Sequence, residues 1–262
     1  MTAITHAVVP LAATSAPEIP LTRLLRVEWR KSIDTRAARW LLVSTAVLSI
    51  VAVAVPLVRA TDLAQILPGY AATVSYAVTL LVPVISILTL TSEWSQRTVL
   101  TTFTQEPRRS RVLAAKLGAG SGLATIGGAV GFLVAAGGLQ LSDALGRDVS
   151  WEISTKQLVG YALFVLLSSL MGMAFGAAIH NTAGAIVLYF ALPTLMMIVG
   201  VAIRSLRDWV DTTTTTTTTT TFVWLLRGEW SGHWAQIATS IAIWVILPLA
   251  AGLIRTMRRE IR

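Results

Sequence analysis

The sequence predicts an all-α membrane protein with six transmembrane helices, an amphipathic interfacial helix before them and both termini in the cytoplasm. Three observations carry this prediction. Of the 262 residues, 54% are hydrophobic and only 13% are charged, about half the charged share of a soluble domain. The apolar residues form charge-free blocks as long as a bilayer is thick. All 21 Lys and Arg residues lie outside these blocks.

The chain begins with two segments that precede the apolar blocks. Residues 1–20 contain three prolines and lack the positive start of a signal peptide, so we expect a flexible tail. Residues 21–39 repeat apolar side chains, Trp29 among them, at every fourth position, and arginines such as Arg30 and Arg36 occupy other positions. This pattern predicts an amphipathic helix in the headgroup layer, with membrane lipid as its partner. A helix packed on another cytoplasmic element is the alternative.

Residues 40–262 are predicted to form one six-helix membrane domain. Six apolar blocks contain no Asp, Glu, Lys, Arg or His; they are Trp40–Val58, Tyr70–Leu90, Leu117–Leu139, Gln157–Ile179, Ala183–Ile203 and Ala235–Ile254. In hydrocarbon the backbone amides must pair within their own segment, so each block is predicted to be a helix. Prolines at positions 56, 83, 193 and 248 predict kinks in four of them.

The placement of basic residues predicts the orientation of the spans. Fifteen of the 21 Lys and Arg residues lie in the amino-terminal flank, the second loop and the carboxyl tail, and six lie in the first, third and fifth loops. Basic residues are retained on the cytoplasmic side, so both termini are predicted to be cytoplasmic.

Glycines in the third block predict close helix packing. Gly118 and Gly122, and likewise Gly127 and Gly131, are small residues four positions apart, a spacing that lets helices approach closely. Ordinary internal packing and a site where neighbouring helices slide both remain open.

Two short regions invite separate interpretations. His180 lies in the tight connection between the fourth and fifth blocks, where it is either a proton relay or the cap of a helix end. The outer segment, residues 204–234, contains ten consecutive threonines that no packed core can use, followed by an aromatic-rich stretch expected at the outer membrane interface.

Several kinds of chemistry are not expected from this sequence. It has no cysteine, its three histidines show no metal-ligand spacing, and no carboxylate lies within an apolar block. Neither a phosphate-binding glycine loop nor a serine hydrolase elbow occurs. We therefore expect no catalytic, cofactor or metal site. The net charge of +8 is placed as in a membrane protein, so no nucleic-acid partner is expected either.

The loop between the second and third blocks, residues 91–116, carries the functional prediction. It holds five basic and two acidic residues, too many charges for lipid, and the distribution of basic residues predicts that it faces the cytoplasm. Glu93 and Arg97 are four apart and are predicted to pair across a helical turn. The residues singled out in this loop are Glu93, Arg97, Thr98, Leu100, Thr101, Phe103, Pro107, Arg108, Arg109, Arg111 and Lys116.

This loop resembles the cytoplasmic segment of type-2 ABC transporter permeases. Glu93, Arg97-Thr98, Leu100, Pro107, Arg109-Ser110-Arg111 and Lys116 stand where that family carries its Glu, basic-Thr, Leu, Pro, Ser-Arg and Lys residues. Arg97 occupies the position of the usual glycine, which is a departure from the family pattern. The resemblance covers about 25 residues in motif and nearly the whole chain in its predicted layout.

The resemblance implies a permease of an exporter in the bacterial plasma membrane. The apolar, kinked and charge-free spans suit a hydrophobic or amphiphilic solute. The resemblance also implies a second permease, in a homodimer or a pseudo-dimer, and two ATP-binding subunits, which would hold ATP and magnesium while this chain binds no cofactor. Part of Val99–Gln105 would be a coupling helix seated in the ATPase. For Arg108, Arg109 and Arg111, contact with lipid phosphate is an equal alternative to partner docking. An ATP-independent channel or carrier is the alternative function.

Overall fold

The computed structural model describes residues 19–59, 65–96, 98–203, 224–225 and 227–258. All the regular elements in these ranges are helices. An isolated β-bridge pairs Ile66 with Ser150 outside the helices. The helices are α1 (Leu21–Asp34), α2 (Arg36–Arg59), α3 (Leu67–Ser95), α4 (Val99–Gln105), α5 (Arg109–Ala144), α6 (Thr155–Ile179), α7 (Thr182–Ala202) and α8 (Trp234–Arg258).

The helices coincide with the predicted apolar blocks. Five of them, α2, α3, α5, α6 and α8, are long and apolar enough to cross a membrane. The remaining block falls on α7, where Thr182–Met196 is a shorter apolar helix. The all-helical character of the prediction is thus confirmed, and five helices could cross a membrane.

Helix α3 lies at the centre of the bundle and packs against α2, α5 and α6. Tyr70, Val74 and Val78 of α3 are buried in one apolar cluster with Leu139 of α5 and Phe164 of α6. In contrast, α2 exposes a band of aliphatic side chains along much of its length, as a helix facing lipid does.

For the amphipathic helix predicted over residues 21–39, the predicted carboxyl end is wrong. Helix α1 stops at Asp34, and Arg36 begins α2. The break lies at Thr35, whose hydroxyl accepts a hydrogen bond from the Ala38 amide and donates one to the Ser32 carbonyl. A threonine in this position caps the following helix, so the chain changes direction here.

His180 caps the end of α6, which confirms that interpretation of this residue. Its φ of 56° is left-handed, a conformation typical of helix ends, and its amide donates to the Gly176 carbonyl. The adjacent Asn181 then caps α7 by accepting from the Gly184 amide. Two consecutive caps produce the tight connection.

The glycine pairs of α5 receive side chains rather than a neighbouring backbone. Gly118 and Gly122 lie under side chains of α1, and Gly127 and Gly131 lie under valines of α3. Backbones approach closely elsewhere: a Cβ at Gly172 would lie 2.7 Å from the Pro83 carbonyl oxygen. A second such contact brings Gly252 of α8 against Ala177 of α6.

Of the four predicted proline kinks, the one at Pro248 in α8 coincides with a break in the regular helix. Residues Ala242–Ile246 form a π-helical turn, in which the Leu247 amide donates to the Ala242 carbonyl five residues earlier. Pro248 follows directly. A proline ring clashes with the carbonyl four residues before it, and widening the preceding turn relieves that clash.

Parts of several predictions lie outside the described residues. These parts are the tail over residues 1–18, Arg97, most of the outer segment (204–223 and 226) and the last four residues.

Candidate functional site

Four charged side chains from three helices form a closed ring at one end of the bundle. Glu28 and Lys31 belong to α1, Glu93 to α3 and Lys116 to α5. Lys31 Nζ lies 2.9 Å from Glu28 Oε1 and 2.8 Å from Glu93 Oε1. Lys116 Nζ lies 2.7 Å from Glu28 Oε2 and 3.2 Å from Glu93 Oε2. Each ammonium group therefore bridges both carboxylates, and we call these four residues the charge ring.

The ring is buried and electrically neutral. The side chains of Glu28, Glu93 and Lys116 are each at most 10% exposed, whereas that of Lys31 is 45% exposed and lies where the ring reaches the protein surface. Buried charges are tolerated only when they are paired, and here two positive charges balance two negative ones. The ring consequently fixes α1 to the ends of α3 and α5.

The pKa of Lys31 is raised above its ordinary value by its position in the ring. Partial burial favours the neutral amine and lowers the pKa, but hydrogen bonds to Glu93 and Glu28, together with their negative charges, outweigh it. Lys31 is therefore positively charged throughout the physiological pH range.

The ring corrects two predictions about the loop. Residues Thr91–Ser95 belong to α3 and Arg109–Lys116 belong to α5, so the segment between the spans is only 96–108. Glu93 and Lys116 are buried, 8% and 7% exposed, and do not lie on the surface of a loop. The carboxylate of Glu93 binds Lys31 and Lys116, and its predicted partner Arg97 is outside the described residues.

The short helix α4 has one face turned to the protein interior and one exposed face. Val99 is buried and Phe103 is half-buried, whereas Leu100 and Thr101 point outward, with Leu100 46% exposed. The Thr98 amide donates to the Glu93 carbonyl at 3.0 Å, which ties the start of α4 to the end of α3. A large aliphatic side chain is thereby presented on the outer surface of a short, fixed helix.

The chain leaves α4 through a buried acidic residue. Glu106 is 5% exposed. Its Oε1 accepts from the Arg108 amide at 3.3 Å, and its Oε2 lies 3.7 Å from the Arg111 guanidinium. Arg111 also donates to the Ile19 carbonyl at 2.6 Å. Pro107 and Arg108 are exposed at the turn between α4 and α5.

Helix α1 packs on α5 through its apolar side chains. Leu25 lies over Gly118 and the Trp29 ring over Gly122, so closely that a methyl group on either glycine would collide with it. Arg30 lies on the exposed side. The packing agrees with the alternative in which this helix rests on another element, and the exposed arginines leave contact with lipid headgroups as a prediction.

A second cluster lies beside α4, around Thr256 in α8. The Thr256 hydroxyl pairs with His180 Nε2 at 2.9 Å, and the Thr256 carbonyl accepts from Arg109. The His180 ring packs against Trp94 with the centroids 4.1 Å apart and the ring planes tilted by 33°. The Arg109 guanidinium lies 5.0 Å from the centroid of the Phe103 ring. The cluster joins α4 to the ends of α3, α6 and α8 and to the start of α5; we call this the α4 end of the bundle.

Sequence reasoning missed Glu28, Lys31 and Thr256. One signal was present: Glu28 and Lys31 are three apart on α1 and so share a face, and Glu93 and Lys116 lie just beyond the apolar blocks. Charges in such positions are often paired. The partner of each charge is nevertheless a property of the packing.

No protein-family model matches the sequence, and a search of curated proteins gave no match.

Proposed function

We propose that this chain is the permease subunit of an ATP-driven ABC exporter in the bacterial plasma membrane. In this proposal α7 completes a set of six spans, and the α4 end of the bundle and both termini face the cytoplasm. A separate ATP-binding subunit, present in two copies, binds ATP and magnesium. Two permease copies enclose the path of a hydrophobic or amphiphilic solute.

The observation that carries the proposal is α4 itself. A seven-residue helix interrupts the connection between two long apolar helices, and it exposes the apolar side chain of Leu100, as helices that bind in an apolar groove of a partner do. Arg108 is exposed next to it and supplies a positive charge at the rim. This surface is small and fixed at both ends, as expected of a docking element that transmits force.

The charge ring gives the proposal a mechanical basis. Because Glu93 and Lys116 lie at the end of α3 and near the start of α5, the ring holds together the two helices that flank α4. Glu28 and Lys31 attach α1 to the same point. A push on α4 would thus move α1, α3 and α5 as one unit rather than bend the loop alone.

We expect a neighbouring gene to encode an ATP-binding protein, and the test is whether that protein co-purifies with this chain. Leu100→Glu and Arg108→Glu should each reduce its recovery several-fold, because a buried charge or a reversed rim charge opposes docking. Lys156→Glu is the matched control, since Lys156 is exposed at the opposite end of the bundle and undergoes the same charge reversal as Arg108.

The outcome distinguishes the proposal from its alternative. Equal recovery for all three variants would contradict docking through α4. Transport by the purified chain alone, reconstituted in vesicles without nucleotide, would favour an ATP-independent channel or carrier.

A further inference from the structure

Thr256 connects α8 to the elements around α4 through both its side chain and its backbone. Its hydroxyl donates to the Gly252 carbonyl at 2.8 Å and pairs with His180 Nε2 at 2.9 Å. A hydroxyl has a single proton, and here it goes to Gly252, so Nε2 of His180 carries a hydrogen and donates to Thr256. The backbone carbonyl of Thr256 accepts from the Arg109 guanidinium. Thr256 is 7% exposed, so these bonds have little competition from water.

Arg109 extends this contact to α4. It is the first residue of α5, and its guanidinium lies over the Phe103 ring of α4 while it donates to Thr256 of α8. A cation at the carboxyl end of a helix also interacts favourably with the helix dipole. One arginine therefore contacts α4 on one side and α8 on the other.

The π-helical turn divides α8 into two halves. We call the amino-terminal half, Trp234–Ile241, the upper half and the carboxyl-terminal half, Leu247–Arg258, the lower half. Pro248 supplies no amide hydrogen, so the regular ladder of hydrogen bonds is interrupted where the two halves meet. Such breaks are the usual places where a helix bends. Gly252, in the lower half, lies against the Ala177 backbone of α6.

We propose that Thr256 is a positioning residue through which a displacement of α4 moves the lower half of α8, with the π-helical turn as the hinge. The inference rests on the proposed function for what displaces α4, but the contacts that transmit the displacement lie within this chain. A displacement of α4 would then reach α8, although Arg109 and Thr256 are 147 positions apart in the sequence.

The experiment is hydrogen–deuterium exchange on the full chain in lipid nanodiscs, without any partner. Phe103→Ala removes the ring beneath Arg109 and should raise amide exchange in residues 249–258 by about three- to fivefold. Exchange in residues 234–241 should change by less than about twofold. Leu100→Ala is the control, because Leu100 is on the outer face of the same helix and should leave both regions unchanged.

Double variants separate transmission from general loosening. Arg109→Met should reproduce the effect of Phe103→Ala, and the two together should add less than about twofold to either alone, because both remove the same connection. Arg109→Lys retains a charged donor and should restore part of the protection. Thr256→Val keeps the volume but removes the hydroxyl, and it should increase exchange in the same residues.

Two results would overturn the inference: unchanged exchange at residues 249–258 in Phe103→Ala, or an equal increase in both halves of α8. Either could occur while the ATP-binding subunit still co-purifies, so the inference would fail alone. If the exchange pattern appears but the Leu100 and Arg108 variants bind the ATP-binding subunit normally, docking through α4 fails and the internal connection stands.

Discussion

Removing Lys116 should destabilise the protein more than removing any other single charge of the ring. Lys116 contacts both Glu28 and Glu93 and is 9% exposed. Lys116→Met leaves two buried carboxylates with only Lys31 to balance them. Breaking a buried ion pair on one side typically costs about 3–5 kcal/mol, so the folding equilibrium should fall by a factor of at least roughly one hundred.

The same geometry predicts a rescue. Adding Glu28→Gln to Lys116→Met removes the surplus negative charge and leaves Lys31 paired with Glu93 at 2.8 Å, so we expect recovery of about half of the lost stability or more. Lys31→Met should cost less, about 1 kcal/mol, because water reaches this half-exposed site.

Unfolding in mixed micelles with increasing SDS, followed by the fluorescence of the nine tryptophans, measures these differences. Lys156→Met is the control, since this exposed lysine lies outside the ring and should change stability by less than about 0.5 kcal/mol. The reasoning is refuted if Lys116→Met is within about 1 kcal/mol of the wild type, or if Glu28→Gln worsens it.

Three further predictions concern α1, its lysine and the orientation of the chain. Gly122→Ala in α5 should detach α1, because the new methyl group meets the Trp29 ring. Faster proteolysis of α1 and a lower Tm would show this. Gly137→Ala, also in α5, is the control: its methyl group meets nothing within 4 Å and should raise the Tm slightly. The stabilisation by Lys31 is fully present below the ordinary lysine pKa of about 10.4 and is lost as the pH rises through its raised pKa. The Tm difference between wild type and Lys31→Met should thus be constant from about pH 6 to pH 9 and shrink above pH 10.4; a difference that shrinks on acidification would contradict it. A reporter fused after Arg262 should be accessible only from the cytoplasmic side, and labelling from outside would contradict the orientation.

The positions of the helices were predictable because their causes are local. A block of apolar residues without charge forms a helix in lipid whatever its neighbours are, and each of the six predicted blocks lies on a helix. Helix ends were harder to place. Helix α5 begins at Arg109, ahead of the predicted start at Leu117, because charged residues can continue a helix beyond the hydrocarbon.

The loop prediction was right about a short helix and wrong about some of its residues. Val99–Gln105 is α4, the segment predicted to hold the coupling helix. Glu93 and Lys116 were assigned to the coupling loop because they stand where the resembled family carries its Glu and Lys residues. They are buried instead, because α1 folds back over the ends of α3 and α5 and supplies the opposite charges.

The sequence by itself determined an all-helical chain whose long helices are apolar enough to cross a membrane, with a short charged segment between two of them, since hydropathy and charge act over one helix length. Only the tertiary structure decided which charges neutralise one another. Lys31 and Glu93 are 62 residues apart, and Glu28 and Lys116 are 88 apart. No pattern within one segment encodes such a pairing, because it depends on how the glycine-lined surface of α5 receives α1.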